Sequence, residues 1–371
     1  MAYNIVNLKN VALKRLGMLK HFMEDHHISA LILFEGDSIA YKFSLTQHFN
    51  IVLVTPSEIY VFADVALYYE ALQESPWEVV LVENFTLSQL VEKIISVAGR
   101  EGSRIRLGVN KMWGRGKLTF LYMDLLHALQ SKGIEIIDVT HILAEVFSKP
   151  YDEEIPMIKW ISQVASKALE AVHEQLKPGI REYELASVID RILDENGIID
   201  RWFPTIVASG SRAASPHAKT STRRIGYGEP VVVDIGPFWM GYDGCVAHTF
   251  IAGQSKYWKD ILEKVKHALR LGLEQARPGI PVRVLDEVPR NELKKQGLPD
   301  YPHLTGHPVG GFYKPVIADF IDYNLEINMV FAYEPATYIP SKGGVRIEPH
   351  VLVTDSGYEI LTEFHKKLLT R

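Results

Sequence analysis

Val330-Phe331-Ala332-Tyr333-Glu334 is a run of strand-forming residues that stops on an acid. One hundred residues earlier the same ending occurs in Val231-Val232-Val233-Asp234. The offset continues upstream. Lys177-Pro178-Gly179-Ile180 returns as Arg277-Pro278-Gly279-Ile280. Leu185, Val188, Leu193 and Gly197 return as Leu285, Val288, Leu293 and Gly297, and Ile161, Ala168 and Leu169 as Ile261, Ala268 and Leu269. Each copy reads as a helix, a Pro-Gly break, a second helix, a Gly stop and then strands. A duplicated α+β unit folded about a pseudo-twofold axis would bring Asp234 and Glu334 to one central place.

Ahead of the repeat, residues 1–147 alternate between helical and strand patterns, as in an α/β layer domain. Helical spacing covers 11–27, and strand-like runs fall at 30–34, 51–54, 59–62, 79–82, 106–109 and 135–139, with a helical stretch near 116–131. No catalytic constellation occurs there. Residues 148–156 are polar with two prolines and read as a linker. Residues 157–371 then form the second domain, opening on a long amphipathic helix.

Composition narrows the function. With 371 residues, 47% of them apolar, the chain can build large cores without disulfides. Forty basic against 45 acidic residues, with no basic stripe, argue against a nucleic-acid partner. No apolar run approaches membrane-spanning length. The opening MAYNIVNLKN lacks a secretion pattern, and Cys245 is the one cysteine, so a reducing cytoplasm is expected.

Four segments of the second half gather metal-ligand types: Asp234-Ile235-Gly236, Thr305-Gly306-His307, Tyr333-Glu334-Pro335 and Arg346-Ile347-Glu348. Cys245 follows Asp234 by 11 residues. Carboxylates, an imidazole and a sulfur suit transition metals rather than calcium. Without a cation, three acids buried together would repel and take up protons.

These segments resemble the pita-bread hydrolases, the creatinase, prolidase and aminopeptidase P (peptidase M24) family, and most nearly its Xaa-Pro dipeptidases and aminopeptidases. The resemblance rests on Phe203–Gly210 leading to Pro216-His217, on Val233–Gly236, Pro302–His307, Asn328–Pro335 and Gly344–Glu348, and on the closing run Val351–Thr362, all in family order. Residues 1–147 resemble the N-terminal domain of prolidases and creatinase. The resemblance implies an α/β domain followed by an α+β pita-bread domain. It implies one or two divalent ions (manganese, cobalt or zinc) and hydrolysis of a peptide or small amide by a metal-activated water. It also implies a homodimer. Carried over by position, Asp234 would bind one metal, His307 and Glu334 the other, and Glu348 both. His217 would meet the substrate.

Two positions depart from the pattern. Cys245 stands where the family has a bridging aspartate. Three readings are open: a thiolate ligand favouring zinc or cobalt, a buried apolar residue that leaves the metal site incomplete or empty, or replacement by Asp243. Lys314 stands where the family has a second histidine, and would serve as a hydrogen-bond donor at the catalytic site or merely face solvent. Arg212, Arg346 and His350 are candidate substrate-binding residues: Arg346 would orient a carboxylate, Arg212 would hold a substrate carboxylate, and His350 would share the face of Glu348 on the substrate side. Three functions follow: an Xaa-Pro metallopeptidase, a metal-free creatinase-like C–N hydrolase, or a silent peptide-binding relative.

Overall fold

The computed structural model describes residues 5–84, 86–99, 105–111 and 120–369. Contacts group the chain into two units, Met1–Ser148 and Lys149–Arg371.

In the first unit, α1 (Ile5–Asp25) precedes β1 (Ala30–Phe34), α2 (Ser38–Ser44), β2 (Ile51–Val54), β3 (Ile59–Asp64), α3 (Tyr68–Glu74) and β4 (Glu78–Val82). Then follow α4 (Leu87–Ala98), β5 (Arg106–Val109), α5 (Phe120–Ser131), β6 (Glu135–Asp138) and α6 (Thr140–Val146). The strands form one mixed sheet in the order β4-β3-β2-β1-β5-β6. β2 joins both neighbours antiparallel, whereas β3–β4, β1–β5 and β5–β6 are parallel. The central strands β1 and β2 are apolar on both faces and almost wholly buried. That is what a sheet covered on both sides requires. Of the helix expected near 116–131, residues 116–119 lie outside the described residues, as do residues 1–4 of the opening stretch.

The second unit begins inside the polar stretch read as a linker. Glu154 is fully buried there, its carboxylate accepting from the Tyr242 hydroxyl (2.9 Å) and the Tyr151 N–H (3.0 Å). The segment is therefore packed into the unit it precedes. Next come α7 (Ile155–Gln175), α8 (Glu182–Glu195), β7 (Asp200–Ser209), β8 (Pro230–Trp239), β9 (Tyr242–Asp243) and β10 (Val246–Ile251). The second copy supplies α9 (Lys256–Leu273), α10 (Val282–Lys295), β11 (Gly306–Pro308), β12 (Val330–Tyr333), β13 (Ala336–Ile339), β14 (Gly343–Arg346), β15 (His350–Thr354), β16 (Gly357–Ile360) and α11 (Glu363–Leu369). β8 is flanked by β7 and β10; β11-β12-β15-β16 form a second sheet, and β13 and β14 a hairpin.

The hundred-residue repeat is physical. Gly179 N–H donates to Ile225 O (2.7 Å) and Gly279 N–H to Leu325 O (2.9 Å). Ile225 N–H donates back to Ile180 O and Leu325 N–H to Ile280 O, both at 2.8 Å. Both glycines sit at positive φ, 94° and 84°, where a Cβ would be strained. Each Pro-Gly break is thus the same turn, tying the first helix of its copy to the segment ahead of the β8 or β12 strand.

Candidate metal centre

Backbone pairing assembles the site. Asp234, midway along β8, is in register with Ile206 of β7 and Ala247 of β10. Ala247 also bridges to Glu348: Glu348 N–H donates to Ala247 O at 2.8 Å, and Ala247 N–H donates back at 3.3 Å. His307 is the middle residue of β11 and pairs with Ala332 of β12. Glu334 follows β12, its N–H donating to Thr305 O (2.8 Å). Thr305 is fixed in turn by the Tyr301 hydroxyl (2.7 Å) and by Asp286. Both copies of the repeat therefore deliver acids to one point.

There the side chains of Asp234, Cys245, His307, Glu334, Arg346 and Glu348 converge. His307 Nε2 lies 3.6 Å from Glu348 Oε1 and 3.8 Å from Glu334 Oε1. Donor atoms of Cys245, His307 and Glu348 all lie within 4.8 Å of one another. Cys245 Sγ is 3.7 Å from Asp234 Oδ1. The Arg346 guanidinium pairs with Asp234 and reaches Glu348 Oε2 at 3.4 Å. It also donates to Pro216 O (3.2 Å) and the Tyr338 hydroxyl (3.3 Å).

The electrostatics are those of crowded acids. Burial, and repulsion from Glu348, push both Asp234 and Glu334 above the usual carboxylate range. Burial opposes ionisation of Glu348 as well, but His307 and Arg346 outweigh it and hold its pKa low. Burial would lower His307; Glu348 and Glu334 win and raise it to about 10. Burial and the three acids push the Cys245 thiol well up. Both Glu348 oxygens are buried without a hydrogen-bond partner among the described residues, their neighbours standing at ion-pair distance only. Unsatisfied buried carboxylate oxygens facing an imidazole and a thiol form a donor set that fits a divalent cation.

The remaining candidates are placed differently. His350 is fully buried and turned to a structural task. Its Nε2 accepts from the Cys245 N–H (3.0 Å) and its Nδ1 lies 2.8 Å from Ser162 Oγ, whose own proton goes to Ile158 O (2.7 Å). That network needs a neutral ring with its proton on Nδ1, and burial accordingly lowers its pKa to about 4. Pro349 separates β14 from β15, so strand alternation does not carry from Glu348 to His350. Arg212 lies 3.3 Å from buried Glu182 and donates to Lys219 O, so it braces the 210–221 loop. Asp243 accepts from the Gly311 N–H and its carbonyl from Gly310 (2.9 Å), holding the loop after His307. The Lys314 ammonium lies over the Tyr323 ring, 5.2 Å from its centroid. His217 is exposed beside Pro216. Partial desolvation, then the charge of Arg346, lower its pKa, and Glu348 and His307 also act on it.

Three contributors escape sequence reading. Thr249 Oγ1 donates to Arg346 O (3.0 Å) and accepts from its N–H (2.9 Å). The Tyr338 hydroxyl contacts Arg346 and His303 Nε2 (3.0 Å). Ser162 orients His350. Tyr338 reaches Arg346 because its strand pairs with that of Arg346, a register no sequence signal announced.

A duplicated α+β domain with acids, an imidazole and a thiol at its centre defines a metallohydrolase of the pita-bread class. Residues 157–355 match metallopeptidase family M24, and residues 15–146 match the creatinase/prolidase N-terminal domain. The chain is 31% identical over 362 residues to the Xaa-Pro dipeptidase of Pyrococcus furiosus, covering 96% of this chain and 99% of that protein. The solved prolidase from Pyrococcus furiosus superposes with a TM-score of 0.79 at 28% identity, covering 92% of this chain and 98% of the other. The Xaa-Pro dipeptidase from Bacillus anthracis gives 0.80 at 25% identity, covering 95% and 98%. The chain belongs to metallopeptidase family M24: it is a metal-dependent peptidase with a creatinase/prolidase N-terminal domain.

Proposed function

We propose that this peptidase hydrolyses Xaa-Pro bonds in short peptides, as the names of its relatives indicate for those proteins. The observation that carries the metal-dependent reading is the convergence of Cys245, His307 and Glu348 donor atoms around Glu348 oxygens that are buried and have no hydrogen-bond partner among the described residues. Asp234, Cys245, His307, Glu334 and Glu348 are the residues that would hold manganese, cobalt or zinc. When bound, the metal supplies Lewis acidity and lowers the pKa of attacking water.

The chain's own groups do the rest. Arg346 pairs with Asp234 and holds it in position. His217, neutral near pH 7, contacts the scissile carbonyl from the solvent side and stabilises charge developing on its oxygen. Lys314 is our candidate for the substrate carboxylate. Arg212 is committed to Glu182 and is left out of substrate binding. We further read the protein as a cytoplasmic homodimer. A lone buried cysteine agrees with a reducing compartment, and no helix among the described residues is long and apolar enough to cross a membrane.

The test is a substrate panel. Xaa-Pro dipeptides, Xaa-Pro-Yaa tripeptides, proline-free dipeptides and creatine are offered before and after chelation. Release of the Xaa residue from proline-containing substrates, lost on chelation and restored by metal, is expected. The dipeptide-to-tripeptide ratio separates dipeptidase from aminopeptidase action. Turnover of creatine alone, or of nothing, overturns the proposal.

A further inference from the structure

Behind β10, in the unit that carries the metal centre, lies a recess of about 510 Å³. None of the metal-centre residues lines it. Small-molecule sites commonly enclose roughly 300–1,000 Å³. Phe250, Leu262, Phe364 and Leu368, from β10, α9 and α11, give it a mainly apolar wall. Buried His248 belongs to the same lining, its ring centroid 4.9 Å from that of Phe250 and 5.0 Å from that of Phe364, both edge-on. His248 Nδ1 has no hydrogen-bond partner among the described residues. The hydroxyls of the lining are spent: Thr249 Oγ1 on the backbone of Arg346, and Ser255 Oγ on the Trp258 N–H at the start of α9 (3.4 Å). Charges stand at the rim, where Lys259 is exposed and Glu263 closes on Lys266 at 2.5 Å.

These features select a ligand chemistry. Burial, then the charges of His173 and Lys266, lower the His248 pKa to about 3, so the ring is neutral near pH 7. A neutral imidazole carries one N–H and one lone pair, so His248 offers a hydrogen bond without a charge. A carboxylate brought beside it would lose its hydration and gain no counter-charge. A purely apolar ligand would leave the imidazole unsatisfied. An aromatic ring can meet Phe250 and Phe364 edge-on, the packing such rings prefer, while a neutral hydroxyl on it can either donate or accept.

We propose that this recess is a second ligand site, separate from the metal centre, for a small neutral aromatic compound bearing a hydroxyl group, its ring against Phe250 and Phe364 and its hydroxyl hydrogen-bonded to His248.

The experiment titrates the full-length protein by calorimetry with 4-propylphenol, 4-propylbenzoate and propylbenzene, and locates the bound phenol by hydrogen-exchange mass spectrometry. One site per chain is expected, with the phenol bound about fivefold tighter than propylbenzene, the worth of one net hydrogen bond, and the benzoate weakest. Protection should appear at 246–251 and 363–369. In His248→Phe the phenol should fall to the affinity of propylbenzene. Leu262→Trp, which fills the recess, should abolish binding of both; circular dichroism checks that each variant is folded. The proposal fails if the phenol does not bind, if the benzoate binds best, or if folded His248→Phe binds the phenol as the wild type does. Protection confined to the segments around His307 and Glu348 would put the phenol at the metal centre and equally overturn it.

Discussion

Arg346 and His350 show how single side chains set this centre. Arg346 is the counter-charge for two buried carboxylates. Removing one partner of a buried ion pair is far costlier than the pair is worth, about 3–5 kcal/mol, because the other charge stays behind. Arg346→Met should therefore lower the unfolding free energy of the metal-free protein, from urea titration at pH 7, by about that much; an unchanged value would show that the pair carries no structural weight. His350 was expected on the substrate side, yet it accepts the Cys245 N–H from below. His350→Phe should leave that N–H unpaired, at a cost of about 1–3 kcal/mol, and weaken metal binding through displacement of Cys245. Isothermal titration with zinc reads the second effect. The residue types of the site were legible because carboxylates, imidazole and thiol announce their chemistry. Their roles were less so: the commitment of Arg212 to Glu182 and of His350 to Ser162 depends on neighbours that only tertiary packing brings near.

At the scale of elements, two contacts couple packing to the site. Helix α9 approaches β12 so closely at Gly272 that an added Cβ would overlap the Tyr333 hydroxyl, which donates to Leu285 O at 2.6 Å. Gly272→Ala would gain about 1 kcal/mol of helix propensity but force the close contact apart. We expect a net loss of about 1–2 kcal/mol, with weaker metal binding because Glu334 follows Tyr333. Behind the site, His248 of β10 packs against Phe250, Phe364 and His365, and its Nδ1 is buried without a partner among the described residues. Burial, then His173 and Lys266, lower its pKa to about 3. A folded pKa below the unfolded one means the unfolded chain binds the proton first, so stability falls as pH drops from about 6.5 toward the folded value. The slope is about 1.4 kcal/mol per pH unit for each such histidine. His248→Phe should flatten the fall in unfolding free energy, from urea titrations between pH 6.5 and 4.5, by roughly that slope; an identical slope would contradict it. The helix pairs and Pro-Gly turns of the second unit were readable from periodicity and the hundred-residue offset, whereas α2, α3, α4 and α6 of the first unit were not. The Ala247–Glu348 bridge was not, since nothing local marks two segments so far apart as neighbours.

For the molecule as a whole, duplication is the organising fact. Each copy brings an acid to one buried point, though not at matching strand ends: Asp234 lies midway along β8, which runs on to Trp239, whereas Glu334 directly follows β12. The acids repel there, so the fold tolerates them only with compensating cations, of which Arg346 supplies one. The polar stretch at 148–156 illustrates the limit of composition as a guide. It reads as a connector, but Glu154 is buried and its carboxylate accepts from the hydroxyl of Tyr242, 88 residues away in the sequence. The central claim is that a metal ion held partly by Glu348 performs peptide hydrolysis. The most direct measurement dialyses the wild type and Glu348→Gln against zinc and reads bound metal and proline release in the same samples. Wild type should bind metal and release proline in proportion to it, and the folded variant should do neither. Proline release that persists in the metal-free wild type, or in the variant, would contradict the account.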